Sequence, residues 1–209
     1  LFNEVASSKY TATPASTTQL NMSDTSGMYV GRPVRYTYSG TVYYGIVTAV
    51  NANTHITIAG CTLNTGADLT KLEIGRKDAV VQMPFFISGQ YGDGTDATLL
   101  ASDMKAYVRW KESDAYLVQF EVTHKTADTG ASQPKVQVYV GGSAVGTENT
   151  NAGPSVHGTP GTWTTNSAVE INATNYSIFY NDAIEIGVTA GSNSDASDLS
   201  GNLIFVLKG

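Results

Sequence analysis

Residues 115–125 read AYLVQFEVTHK and residues 203–208 read LIFVLK, and these two runs decide the fold. In the first, Tyr116, Val118, Phe120 and Val122 alternate with Leu117, Gln119, Glu121 and Thr123. That two-residue period is the signature of a half-buried strand. The second run has no polar position before Lys208, which predicts a central strand buried on both faces. Outward from these two, alternation recurs in KVQVYV at 135–140, which ends on a Gly141-Gly142 turn, in SAVEIN at 167–172, and in AIEIGVTA at 183–190, where Ile184, Ile186 and Val188 face one way. AVVQMPFFIS at 79–88 adds another strand. Pro84 cannot donate to a ladder, so this strand is expected at a sheet edge or a bulge. TLLASDM at 98–104 is the one segment suited to a helical turn. Seven or eight strands in about 130 residues is the count of a β-sandwich or jelly roll.

The N-terminal part has a different texture. Residues 1–16 (LFNEVASSKYTATPAS) are polar and weakly patterned, which predicts an extended arm that lies on something else. Over residues 17–76, short β-rich runs (TTQLNMS, VRYTYS, TVYYGIVTAV, HITIAG) are broken by turn signals. Ser39-Gly40 predicts one hairpin turn and Asn51-Ala52-Asn53 another. The expectation is a small meander or barrel of about four strands. The charged, glycine-containing stretch TLNTGADLTKLEIGRKD marks the boundary, and residues 77–209 form the larger domain. The fold class is all-β throughout.

Composition narrows the function. Charged residues are 14% of the chain, against 21 Gly and 12 Tyr, a vocabulary of strands and turns. A net charge of −6 opposes attachment to phosphate backbones, which needs clustered Lys and Arg. No nucleic-acid partner is expected. No apolar run approaches the roughly 18 residues of a membrane-spanning helix, so no membrane partner is expected either. The single cysteine, Cys61, follows Gly60 with no cation beside it and reads as a small buried hydrophobe.

The succession AYLVQFEVTHK, KVQVYVGGSAVG, SAVEIN, YNDAIEIGVTA and LSGNLIFVLKG resembles the C1q/tumour-necrosis-factor jelly roll over residues 79–209. Ser200-Gly201-Asn202-Leu203-Ile204 matches that family's closing strand, and Tyr180-Asn181-Asp182-Ala183-Ile184 stands at its Gly-Asp turn. Asn181 replaces the usual glycine there, and asparagine tolerates the same left-handed backbone. The resemblance implies a homotrimer packed through apolar strand faces, with Phe120, Leu203, Phe205 and Leu207 as the interface residues. The layout of arm, meander and terminal jelly roll, with the runs GRPVRY…YYGIVTAV and KTADTGASQPKVQVYVGG, also resembles structural proteins of tailed bacteriophages. It implies a virion location, on the capsid exterior or the tail, and a major capsid protein or other lattice component as partner. A capsid decoration or cement protein is the leading expectation, and a tail-fibre, baseplate or carbohydrate-binding receptor component is the alternative.

Catalytic constellations are thin. His55, His124 and His157 lie in separate segments with no metal-ligand spacing, and no Gly-x-Ser-x-Gly, Walker or HExxH motif is present. Gly92-Asp93-Gly94-Thr95-Asp96-Ala97 mimics a dinucleotide fingerprint but lacks the alternating β-α context. Asp93, Asp96, Asp195 and Asp198 are weak calcium candidates in loops that match no EF-hand. Trp110 lies in the alternating run AYVRWK and reads as packing, whereas Trp163, in GTPGTWTT, is the candidate for stacking on a glycan. The sequence therefore predicts no catalysis and no cofactor.

Overall fold

The structure is a computed structural model that describes residues 1–90, 106–126, 135–145, 164–166, 176–189 and 197–209. Among these residues every element is a strand apart from two short 3-10 turns, Ser7–Lys9 and Lys77–Ala79. The fold is all-β and jelly-roll-like.

The N-terminal unit has six antiparallel strands: β1 (Phe2–Glu4), β2 (Gln19–Asn21), β3 (Pro33–Tyr38), β4 (Thr41–Asn51), β5 (His55–Ala59) and β6 (Leu69–Gly75), in the order β1-β6-β3-β4-β5-β2. Tight turns set the register. Ser39 and Gly40 both take positive φ (47° and 77°) between paired Tyr38 and Thr41, the two-residue hairpin geometry whose twist matches the strands. Asn53 (φ 51°) turns the chain from β4 into β5. The enclosed core holds Leu20, Met22, Val34, Tyr36, Val47, Ile56, Ile58, Leu63 and Leu72, with Cys61 among them. Cys61 lies just past the end of β5 and not on a strand, and burial pushes its thiol pKa up.

The free arm expected at residues 1–16 is corrected by this unit. Phe2–Glu4 pairs with β6, the Val5 amide donates to the Leu72 carbonyl, and the Leu69 amide donates to Ala12. On the other side Tyr10 bridges Met22 and the Thr11 amide donates to Asn21. The segment joins β6 to β2 and closes the sheet into a small barrel, which leaves no long unpaired edge. Phe2, Val5 and Tyr10 supply its apolar anchors; their irregular spacing has no strand period to read.

After the Arg76–Ala79 connection the chain enters the sandwich. Its strands are β7 (Val80–Gln90), β8 (Ala106–Arg109), β9 (Ala115–Thr126), β10 (Lys135–Val140), β11 (Ser143–Val145), β12 (Thr164–Asn166), β13 (Tyr176–Ile178), β14 (Ala183–Thr189) and β15 (Ser197–Leu207). One sheet runs β12-β9-β15-β7, with β13 also paired to β9, and the other runs β11-β10-β14-β8. Setting aside the short β12, first, last, third and sixth strands share one sheet and second, seventh, fourth and fifth the other. Two interleaved Greek keys of this kind make a jelly roll. Among the described residues β7, which carries Pro84, is an edge strand as expected, paired only with β15. Gly141 and Gly142 turn β10 into β11 at φ 57° and 82°, and Asn181 adopts φ 73°. The SAVEIN run and the TLLASDM segment lie outside the described residues.

β15 is buried on both faces. Leu203 and Phe205 point into the sandwich core with Leu117, Val138, Val140, Ile178, Ile184 and Ile186, while Ile204 and Val206 point the other way, onto Tyr44, Ile46 and Ala59 of the barrel. The barrel thus docks on the outer face of the β9–β15–β7 sheet. The approach is close enough that glycine is required. A Cβ on Gly60 (φ 112°) would meet the Gly45 Cα and the Val118 Cβ at 2.9 Å each. Alanine at Gly60 is expected to cost about 2–3 kcal/mol through overpacking and a left-handed backbone. Alanine at Gly40, which has the same backbone hand but open space around it, is expected to cost only about 1 kcal/mol. Urea unfolding of the two variants checks the difference, and equal losses would show that the contact at Gly60 is slack.

Candidate interaction surface

The barrel's charged side chains hold its own wall together. Arg35 on β3 makes a two-pronged pair with Glu73 on β6, Nε to Oε2 at 2.6 Å and Nη2 to Oε1 at 2.8 Å. Lys71 reaches Glu73 at 3.0 Å and Glu4 at 3.6 Å. The Arg35 guanidinium also lies over the Phe2 ring at 4.9 Å, and Phe2 packs edge-on against Tyr44 at 5.8 Å. Hydrogen bonds from Arg35, with help from Lys71, hold the Glu73 carboxyl at about 2, below its usual 4.5, although burial opposes this. Lys9 and Asp24 pair at 2.8 Å beside an open cleft of about 270 Å3, floored by Val5, Met22, Met28 and Ile74.

Across the docking seam an aromatic column continues. Tyr44 of the barrel stacks on Tyr116 of β9 at 4.6 Å. The Lys208 ammonium sits between Tyr116 (4.5 Å) and Phe179 (4.7 Å). Phe179 opens a rigid turn: Asp182 accepts a hydrogen bond from the Phe179 amide at 2.9 Å and returns one from its own amide to the Phe179 carbonyl at 3.0 Å. The Trp110 amide donates to Asp182 and the Asn181 amide to Trp110, which ties this turn to the end of β8. Lys111 donates to the Asn181 side chain at 2.7 Å and lies over the Tyr180 ring at 5.2 Å. Arg109 donates to the Asn181 carbonyl at 3.2 Å and lies over Tyr107 at 5.7 Å.

The result is a fixed surface in which Phe179 is 52% exposed, Tyr180 64%, Tyr107 52% and Val108 39%. Each of the three rings carries a cation on or beside its face. Cation–π contacts contribute about 0.5–1 kcal/mol at exposed sites, a modest bias toward these ring positions. The sequence reading missed this surface. The signal was present in the adjacent pair Phe179-Tyr180 before Asn181-Asp182, because two consecutive aromatics at the mouth of a turn cannot both reach a core.

The sequence-derived sites fare differently. Leu203 and Phe205 are fully buried in the chain's own core, so neither is free to meet a second subunit; Leu207 is half-buried and packs on the same core. Phe120 stands opposite Leu203 in the β9–β15 ladder, and its side chain lies outside the described residues. Trp110 is packing, as expected: it is buried against Phe205 at 4.6 Å, with its indole N–H donating to the Ser113 carbonyl at 2.9 Å. Trp163, Asp93, Asp96 and Asp195 lie outside the described residues, as does the side chain of Asp198 on β15. Among the described residues no group of three or more His, Cys, Asp or Glu is placed to hold a metal. No described helix is long and apolar enough to cross a membrane.

No family model matches the chain, and no curated protein matches it. Among solved structures, one of infectious bursal disease virus (Gx strain) aligns at 12% identity and a TM-score of 0.31, over 92% of this chain and 56% of that one. A β-porphyranase of glycoside hydrolase family 86 from Bacteroides plebeius aligns at 9% identity and a TM-score of 0.30, over 91% of this chain and 34% of that one. The chain thus spans about half or less of each. Likenesses this low carry no argument about function.

The charge network gives a pH test. An unfolded Glu73 titrates near 4.5 and the folded one near 2. Its contribution is therefore complete above about pH 4.5 and drains as the pH falls toward 2. Glu73→Gln is expected to lose about 2 kcal/mol at pH 7, the scale of hydrogen bonds to a charged group. Urea titrations at stepped pH should show the gap to wild type closing between pH 5 and 2, and a gap independent of pH would refute the assignment.

Proposed function

We propose that the protein is a non-catalytic structural component of a virus particle: a decoration or cement protein of a tailed phage that works as a homotrimer on the capsid exterior, in contact with the major capsid protein. The virion setting rests on the resemblance of the runs GRPVRY…YYGIVTAV and KTADTGASQPKVQVYVGG to phage structural proteins. The observation that carries a structural role is how the described side chains are used. The charged network of Arg35, Glu73, Lys71 and Glu4 reinforces the barrel wall, and the aromatic column Tyr44–Tyr116–Lys208 fastens barrel to sandwich. Two modules joined over a shared apolar seam suit a part that bears load in a lattice.

The route to a trimer differs from the one the jelly-roll resemblance implies. That route uses Leu203, Phe205 and Leu207 of the closing strand, and here Leu203 and Phe205 are buried in the chain's own sandwich core, while Ile204 and Val206 on the strand's other face are covered by its barrel. A trimer must use another surface. The alternative reading, a tail-fibre or receptor-binding component, draws on the exposed rings Tyr107, Phe179 and Tyr180.

Light scattering on the purified chain is expected to give three times the 22.1 kDa of one copy. Immunogold labelling of intact particles is expected on the capsid exterior. Label confined to tails would favour the fibre reading, and a chain found only in the soluble lysate would end the virion proposal.

A further inference from the structure

We infer that residues 1–13 are exchanged between copies of this chain: the segment from one copy seats between β6 and β2 of another and closes that barrel, as it closes its own in a single chain. This rests on the homotrimer reading and gives its copies a means of holding one another. The exchange itself sets no number of copies.

The seat must be filled, and the structure shows what fits it. Without residues 1–13, the positions of β6 and β2 that pair with Phe2–Glu4, Val5, Thr11 and Ala12 stand open, and open strand edges invite another chain. Phe2, Asn3 and Glu4 run antiparallel to Gly75, Ile74 and Glu73, and Tyr10 bridges Met22. The Phe2 ring lies in space left by two glycines: a Cβ on Gly75 would meet it at 2.8 Å and one on Gly209 at 3.2 Å. A second copy carries this same segment.

The segment is held at its rim more than in the core. Of residues 1–16 only Val5 and Pro14 are buried, and the rest of the buried barrel core, from Leu20 to Leu72, belongs to the body. A cleft of about 270 Å3 opens between the segment at Val5 and Lys9 and the body at Met22, Met28 and Ile74. Its ion pairs, Lys9–Asp24 at 2.8 Å and Glu4–Lys71 at 3.6 Å, reach solvent, where such pairs contribute little. Parts of a fold with few buried apolar contacts open ahead of the whole.

The connection allows the move. The Thr13 hydroxyl donates to Asp68, and the body begins at Thr17, whose carbonyl accepts from the Leu63 amide, so the hinge is Pro14–Ser16. There the Ala15 and Ser16 amides donate to the Gln19 carbonyl, and the Ser16 hydroxyl accepts from the Thr18 and Gln19 amides. Opening the hinge gives up those turn bonds, while the contacts between segment and barrel re-form in the neighbour. Exchange of an identical element is for this reason a low-cost route to assembly. Short hinges favour it, and Pro14 biases Thr13 to extended backbone. Drawn straight, residues 1–13 reach about 43 Å, so a barrel alongside is within range.

The test is a disulfide across the seat in the full chain. Asn3→Cys with Ile74→Cys joins paired positions of β1 and β6, and Thr11→Cys with Asn21→Cys joins hydrogen-bonded neighbours on the β2 side; Cys61 is buried and is left in place. Each pair is oxidised in the assembled protein, which is then unfolded without reductant and sized. Thermal melting confirms that the variants fold, and light scattering gives the wild-type mass over a dilution series. The inference expects both pairs to link most of the protein into multiples of 22.1 kDa, and Asn3→Cys alone to remain single. A wild type larger than one copy, with both pairs linked only within one chain, would overturn the exchange and leave the homotrimer standing. A wild type of one copy at every concentration would overturn both. Folded variants that form no disulfide at either pair would overturn the seat of residues 1–13, and the exchange with it.

Discussion

One close approach organises the molecule. At the seam between barrel and sandwich, the backbone of Gly60 comes within contact of Gly45 and Val118, with no room for a side chain. That proximity lets Ile204 and Val206 of the closing strand bury against Tyr44, Ile46 and Ala59. Each such side chain removed from water is worth about 1.5–3 kcal/mol. The same strand sends Leu203 and Phe205 into the sandwich core. β15 is therefore shared by two cores, and neither module can shed the other without exposing it.

This constraint explains a feature that invited a different reading. A run as apolar as LIFVL, in a sandwich with only one cysteine in the chain, suggests a surface waiting for other subunits. The number of apolar residues is the same whether the cover comes from another chain or from an earlier part of the same one. Periodicity reports that a strand is buried on both faces, but not by what. Only the fold places the barrel, more than a hundred residues earlier in the chain, on the far side of the sheet.

Much of the architecture was legible because it is local. The alternation in β9, β10 and β14, the edge character of β7 from Pro84, and the turns at Ser39-Gly40, Gly141-Gly142 and Asn181 are all fixed within a few residues. The role of residues 1–16 was not. Their contribution is backbone hydrogen bonds to Asn21, Leu69 and Leu72, and backbone bonds leave no mark on composition. The same holds for the surface at Phe179 and Tyr180: its rings are ordinary strand-forming residues until the turn at Asn181 and Asp182 directs them outward.

The two kinds of cation in the molecule differ in what surrounds them. Arg35 sits in a barrel wall where Glu73 satisfies two of its donors, so its charge is neutralised within the fold. Arg109 and Lys111 satisfy part of their hydrogen-bonding capacity on Asn181 and otherwise face aromatic rings and solvent. A ring face attracts a cation without cancelling its charge, so the field of these side chains still reaches outward to about a Debye length, roughly 8 Å at physiological salt. Carboxylate pairing closes a charge off, whereas ring contact holds it in position and leaves it available. The barrel uses the first arrangement at Arg35 to stay closed, and the sandwich uses the second at Arg109 and Lys111.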